Sequence, residues 1–166
     1  ASNKTRHPEA KTMRAALSHK FINILAVIFM GAAFMQGAAT TTAEASANQL
    51  VARISISRQN MEVVVDGRLV FDWKVSTAGK GHVTPTGRFK PTRMHEMWYS
   101  RKYDNAPMPH SVFFHEGYAV HATPHVKNLG RPASHGCIRL HPDNANDFFH
   151  LVQAYGPKNT SIVIVE

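Results

Sequence analysis

The stretch HATPHVKNLGRPASHGCIRL, His121 to Leu140, holds the only cysteine among 166 residues. A solitary thiol has three ordinary readings: an inert buried side chain, a metal ligand or a nucleophile. The residues around Cys137 bear on all three. Gly136 lets the backbone approach a substrate closely. The amides of His135, Gly136 and Cys137 are candidates to converge on one oxygen, as an oxyanion hole requires. His121 closes the alternating segment GYAVHA, sixteen positions before the cysteine, and Pro124, Gly130 and Pro132 lie between as turn-forming material. That spacing lets the chain fold back and bring an imidazole to the thiol, the pairing that activates sulfur as a nucleophile.

The same stretch has spacings compatible with zinc, because His121, His125, His135, Cys137 and His141 give H-x3-H and H-x-C-x3-H. Two features oppose that reading. There is no second cysteine and no H-E-x-x-H helix, and Pro124 breaks any helix joining His121 to His125. No metal and no other cofactor is expected.

Outward from this stretch the chain reads as strands and turns. Val51–Ser57 alternates apolar and polar, as does MEVVVD (Met61–Asp66) less cleanly, and Asp66-Gly67 is a hairpin signal before the run Arg68–Ala78. Gly79–Gly87 (GKGHVTPTG) is a loop. Pro91 marks an edge or a bulge in RFKPTRMH. Met97–Pro109 has no period and reads as a long loop, and its length with Trp98, Tyr99 and Tyr103 suggests a lid over the substrate. Ser111–Ala122 reads as a hairpin about Glu116-Gly117. One helix is expected from Pro142-Asp143 to Gly156, with Ala145, Phe148, Phe149 and Val152 as its buried stripe. TSIVIVE closes the chain as a buried strand. The fold class is mostly β, chiefly antiparallel and sandwich-like, with one or two short helices.

The chain is basic, with 19 Lys+Arg against 11 Asp+Glu. It has no dense Lys/Arg stripe with interleaved aromatics, so a nucleic-acid partner is not expected, whereas an anionic envelope polymer suits the charge. Near the N-terminus, Arg14 and Lys20 accompany an uncharged apolar run, Phe21–Met35, and then Ala43-Glu44-Ala45. This is the layout of a secretory signal peptide with an A-x-A cleavage site. Residues 1–45 are therefore expected to be an N-terminal extension and signal peptide, and 46–166 a single folded domain with 14 Lys/Arg and 9 Asp/Glu. Membrane contact is expected only through the signal segment if it stays uncleaved. A lone thiol in an oxidising compartment is exposed to oxidation, which favours a chemical use for it.

The stretch His121–Leu140 resembles the signature of the L,D-transpeptidase catalytic domain, the YkuD-type cell-wall enzymes. STAGKGHVTPTGRFKP, APMPHSVFFHEGYAVHA, HPDNANDFFHLV and the last strand extend the likeness from about Leu50 to Val165. The resemblance implies a β-sandwich-like fold and cysteine acyl transfer in the periplasm or cell wall. It implies Cys137 as nucleophile, His121 as base and the Ala122 carbonyl as orienter of His121. The amides of His135, Gly136 and Cys137 would form the oxyanion hole, with Ser134 and Arg139 in support. Family members often have glycine where Ala122 stands; an extended residue is expected there. The implied substrate is a peptidoglycan tetrapeptide stem, transferred to a diamino-acid amine (a 3→3 crosslink) or to a lysine of an envelope lipoprotein. Transfer to water, an L,D-carboxypeptidase activity, is the alternative within the fold. A Cys/His metal protein and a non-catalytic wall-binding module are the alternatives outside it.

Overall fold

The computed structural model describes residues 48–166. The expected signal peptide and its boundary at residue 45 lie outside the described residues. Among these residues no helix is long and apolar enough to cross a membrane.

Among the described residues nine strands form two sheets. Strands β1 (Leu50–Ser55), β2 (Asn60–Val65) and β3 (Arg68–Lys74) run antiparallel in sequence. Asp66 and Gly67 turn β2 into β3 with φ of 49° and 80°, the positive values that a two-residue hairpin requires. The expected run Arg68–Ala78 is shorter as a strand. After Lys74 the chain leaves this sheet, and Ser76 and Ala78 instead form isolated bridges to Arg139 and Ser134. Strand β4 (Gly87–Phe89) pairs with the last strand, β9 (Thr160–Val165), so the first sheet is ordered β3-β2-β1-β9-β4. The second sheet is ordered β5-β6-β7-β8, from β5 (Arg93–Ser100), β6 (Ala106–His115), β7 (Tyr118–Ala122) and β8 (Ile138–Leu140). The buried Pro91 sits in the three-residue link by which the chain passes from β4 to β5. It is thus a crossing between sheets rather than an edge or bulge within one strand.

One expectation is corrected. Met97–Pro109 is a hairpin, not a long loop. Met97, Trp98, Tyr99 and Ser100 pair with Pro109, Met108, Pro107 and Ala106 around the turn at Arg101–Asn105. Here β6 outruns β7, whose ladder with it spans only Val112–His115. One side of the overhanging β6 backbone is therefore unpaired, which is where prolines are tolerated in a strand. The sheets are chiefly antiparallel, as expected, with two parallel pairs that the sequence did not indicate. β1 runs parallel to β9, and β7 runs parallel to β8. Each parallel pair is closed by a long connection, as parallel neighbours require.

The helix α1 (Pro142–Tyr155) follows β8 directly. Pro142 opens it at a position where no amide hydrogen bond is lost. The amide of Asp143 donates to His141 Nδ1 at 3.4 Å, and Gly156 ends the helix at φ 80°. Ala145, Phe148, Phe149 and Val152 form its buried face, at the expected spacing. They pack with Leu50, Ile54, Val120, Ile138, Ile162 and their neighbours in one core shared by the helix and both sheets. Phe148 is wholly buried at its centre. Phe148→Ala is expected to cost about 3–5 kcal/mol of stability. Urea unfolding measures this, and an unchanged midpoint would refute the shared core.

Candidate active site

Alternation along β7 and β8 decides what shares a face. Val120, Ala122, Ile138 and Leu140 point into the main core and are essentially inaccessible. Residues of the other parity must face the opposite way. The register sets His121 against Arg139 and, one pair earlier, Val120 against Ile138. Continuing it back by one residue sets Cys137 beside Ala119, and both join a small second cluster with Met108, Phe113 and Trp98. His121, Cys137 and Arg139 thus share one face because the two strands are parallel and in this register. All three line one cavity of about 420 Å³.

His121 is buried, with Nδ1 2.7 Å from the Ala122 carbonyl. A carbonyl only accepts, so Nδ1 carries the proton and Nε2 keeps a free lone pair. Burial pushes the imidazole down to about 4; the Ala122 carbonyl opposes that shift and the Arg139 guanidinium adds to it. Ala122 itself is extended, within β7. Cys137 is half-buried, and its thiol donates to the Gly117 carbonyl at 3.9 Å. Burial raises its pKa, while the Ala119 amide and Arg139 favour the thiolate. Both groups are therefore neutral at neutral pH, an imidazole and a thiol. Arg139 is half-buried and donates through Nη1 to the Ala133 carbonyl at 3.0 Å, and burial lowers its pKa. Among the described residues no carboxylate lies within ion-pair distance of it.

The turn that carries Cys137 is fixed from three sides. Ser134 Oγ donates to the Cys137 carbonyl at 2.6 Å and accepts the Gly136 amide at 3.0 Å. The Ser134 backbone bonds Thr77 and Gly79 at 2.9 Å each. Thr84 Oγ1 donates to the Gly136 carbonyl at 2.9 Å and accepts the Ala78 amide at 3.0 Å. The segment T-P-T-G thus supplies a strut, Thr84, that sequence reading left without a role. Gly136 has φ 123°, and a Cβ there would stand 2.4 Å from the Tyr118 ring and 2.6 Å from the Val83 carbonyl oxygen. Only glycine fits. The expected three-amide cradle is reduced, because the Gly136 amide is committed to Ser134. The His135 and Cys137 amides have no protein acceptor among the described residues.

His135 is exposed, and its ring stacks on Tyr103 with centroids 4.4 Å apart and meets His82 edge-on at 4.5 Å. Of the three aromatic residues expected in the lid, Trp98 and Tyr103 reach the site. Trp98 packs edge-on against Phe113 at 5.6 Å, and with Tyr103 it lines a second cavity of about 430 Å³ that also reaches Cys137. Tyr99 does not reach it. It is 55% exposed and lines neither cavity, because alternation in β5 turns it away from the face of Trp98 and Ser100. Of the other histidines in the stretch, His125 lines the cavity with His121, and His141 is the helix cap described above. Among the described residues no three His, Cys, Asp or Glu side chains are grouped to hold a metal ion.

Comparison with known proteins bears on this arrangement. Residues 49–164 match the family model of the L,D-transpeptidase catalytic domain. No curated protein matches the chain. Among solved structures, an L,D-transpeptidase from Xylanimonas cellulosilytica is 27% identical with a TM-score of 0.58, over 72% of this chain and 62% of that one. An L,D-transpeptidase solved in complex with imipenem is 25% identical with a TM-score of 0.63, over 70% of this chain and 58% of that one. One from Mycobacterium smegmatis shares the fold at 23% identity and a TM-score of 0.63, over 71% and 59%. The chain thus spans about 60% of the length of each of these structures.

The site yields two expectations. Unfolded histidine binds its proton near pH 6.5 and buried His121 only near 4. Falling pH therefore favours the unfolded chain between those values, and the loss reaches about 3 kcal/mol. Between pH 7 and pH 4, His121→Gln is expected to lose that much less stability than the wild type in urea titrations; equal losses would contradict the burial argument. Gly136→Ala is expected to cost on the order of 2 kcal/mol, from positive φ and the two contacts together. A thermal melt matching the wild type would show that the turn can relax.

Proposed function

The chain belongs to the L,D-transpeptidase catalytic-domain family, and from that membership we propose that it is a cysteine-dependent acyltransferase acting on peptidoglycan stem peptides outside the cytoplasm. The observation that carries this reading is the shared face of Cys137, His121 and Arg139 in one cavity. The fixed tautomer of His121 adds to it.

The mechanism follows from the two neutral partners. As Cys137 Sγ attacks the carbonyl of the third stem residue, His121 Nε2 takes the thiol proton. The sulfur–carbon bond forms and the carbonyl oxygen becomes anionic, facing the uncommitted amides of His135 and Cys137. Collapse of this intermediate breaks the carbon–nitrogen bond. His121 returns its proton to the departing amine of D-alanine, leaving a thioester on Cys137. An incoming amine then repeats the sequence: it attacks the thioester, His121 removes its proton, and that proton restores the thiol. One imidazole serves both halves of a ping-pong cycle. Arg139, lacking an acidic partner, suits the carboxylate of the departing D-alanine by bidentate pairing.

The neutral resting pair gives a reason for the buried imidazole. A histidine titrating near 4 remains a free base at every mildly acidic pH. The amine acceptor is a diamino-acid side chain or a lipoprotein lysine, and water in its place yields a shortened stem. The signal segment, Phe21–Met35 with its flanks, is proposed to direct the domain across the membrane to this substrate.

Incubation with purified muropeptides, read by mass spectrometry, tests the proposal. Wild type is expected to release D-alanine from tetrapeptide stems, and the product mass names the acceptor. Cys137→Ala is expected to lose at least a thousandfold in turnover, about 4 kcal/mol of barrier. Imipenem is expected to add its mass to Cys137 in the wild type alone. Turnover that survives in Cys137→Ala would refute the nucleophile.

A further inference from the structure

The two cavities that meet at Cys137 differ in what surrounds them. Cys137, Tyr103 and His135 line both. His121 and Arg139 line only the second, whereas Arg93, Trp98 and Phe113 line only the first. In acyl transfer, the leaving amine must receive its proton from the base. The amine therefore departs on the His121 side, and the acyl portion of the donor extends from the sulfur into the first cavity.

That first cavity is basic. Arg93, Arg101 and Lys102, the last shared with the second cavity, line it against a single acid, Glu116. Arg93 is the best defined of the three. Its guanidinium lies 3.8 Å from the centroid of the Phe113 ring and 5.7 Å from that of Trp98. Stacking on an aromatic face fixes the plane of the guanidinium while leaving its edge free to pair. Nη1 donates to the Glu116 carbonyl at 3.3 Å. Five N–H donors are present in all, so most remain unused by that bond. Among the described residues no carboxylate lies within ion-pair distance of Arg93. An exposed guanidinium over an aromatic ring, without an acidic partner among the described residues and at the wall of a cavity that reaches the nucleophile, is available to a planar anion.

We infer that Arg93 is a specificity-determining residue that receives a free carboxylate on the acyl side of the donor peptide, so that the enzyme favours stems whose acyl-side carboxylates are not amidated. This rests on the proposed acyl-transfer reading and names the donor class for that site. A carboxamide is the same size and shape as a carboxylate but carries no charge. It presents one acceptor oxygen to the fork instead of two, and its NH2 group opposes the donors of Arg93.

Two tetrapeptide stems test this, one with its acyl-side carboxylates free and the other with them converted to primary amides. The readout is the rate of D-alanine release from each, with acylation of Cys137 followed by intact mass. Wild type is expected to favour the free acid by about tenfold or more in kcat/KM. In Arg93→Gln the ratio is expected to fall to about one, and Arg93→Lys is expected to keep part of it because the charge remains. Stems amidated at one position only identify which carboxylate is read. No preference in the wild type, or a full preference in Arg93→Gln, overturns the assignment. So does a ratio in Arg93→Lys no higher than in Arg93→Gln, since that would trace the effect to packing on Phe113. If neither stem acylates Cys137 in the wild type, the acyl-transfer reading itself fails and the role of Arg93 falls with it.

Discussion

The parallel pairing of β7 with β8 is the constraint on which the site depends. Two short strands of five and three residues carry His121, Arg139 and, one step before β8, Cys137. A slip of one residue would turn every side chain of one strand to the other face. Sulfur and imidazole would then lie on opposite sides of the sheet. The register is held by the apolar residues on the reverse face, Val120, Ala122, Ile138 and Leu140, all packed in the main core. It is held from the other edge too, where Ser76 and Arg139 exchange backbone hydrogen bonds at 3.0 and 2.9 Å. The core and the chemistry are therefore set by the same few residues, alternate ones serving each.

Electrostatics around the sulfur follow from what the site lacks as much as from what it holds. Among the described residues no carboxylate orients His121; a main-chain carbonyl does so instead. A carboxylate would raise the imidazole pKa and favour a resting ion pair with the thiolate. A carbonyl fixes the tautomer with a weaker pull, and burial then keeps the ring neutral. The positive charge of Arg139 acts in the same sense on both groups, lowering the imidazole and favouring the thiolate. Under the proposed acyl transfer, charge is held back until a substrate carbonyl is present to receive it. The protonated thiol is also the form less reactive toward oxidants.

Much of this was legible in the sequence, and the failures have physical causes. The stripe Ala145, Phe148, Phe149, Val152 and the cap at Gly156 gave α1 because a helix advertises its buried face by spacing alone. Asp66-Gly67 marked its hairpin because few residues accept its backbone angles. The hairpin through Met97–Pro109 was hidden by Pro107 and Pro109, residues that argue against a strand unless one side of it is unpaired. That condition depends on where β7 stops, a tertiary fact. Both parallel pairs were illegible for a related reason: alternation identifies a strand but not its neighbour or direction. The S-H-G-C motif pointed to Cys137, and the distance to His121 hinted at the return of the chain. Thr84 under Gly136, and Arg93 over Phe113, are contacts between residues 52 and 20 positions apart, with no local signature.

The last strand has a consequence for how the molecule comes into being. β9 is not at a margin; it lies between β1 and β4, in register with the first strand of the domain from Leu50↔Thr160 to Ser55↔Val165. Sequence-distant pairing of this kind is slow to form, because more than a hundred residues of chain entropy must be surrendered before it returns any contact. Until Val165 has been synthesised, the first sheet has a gap at its centre and β1 presents a bare edge. The core of this domain therefore cannot close until its last strand has been made, and the topology itself postpones folding until β9 is available to β1.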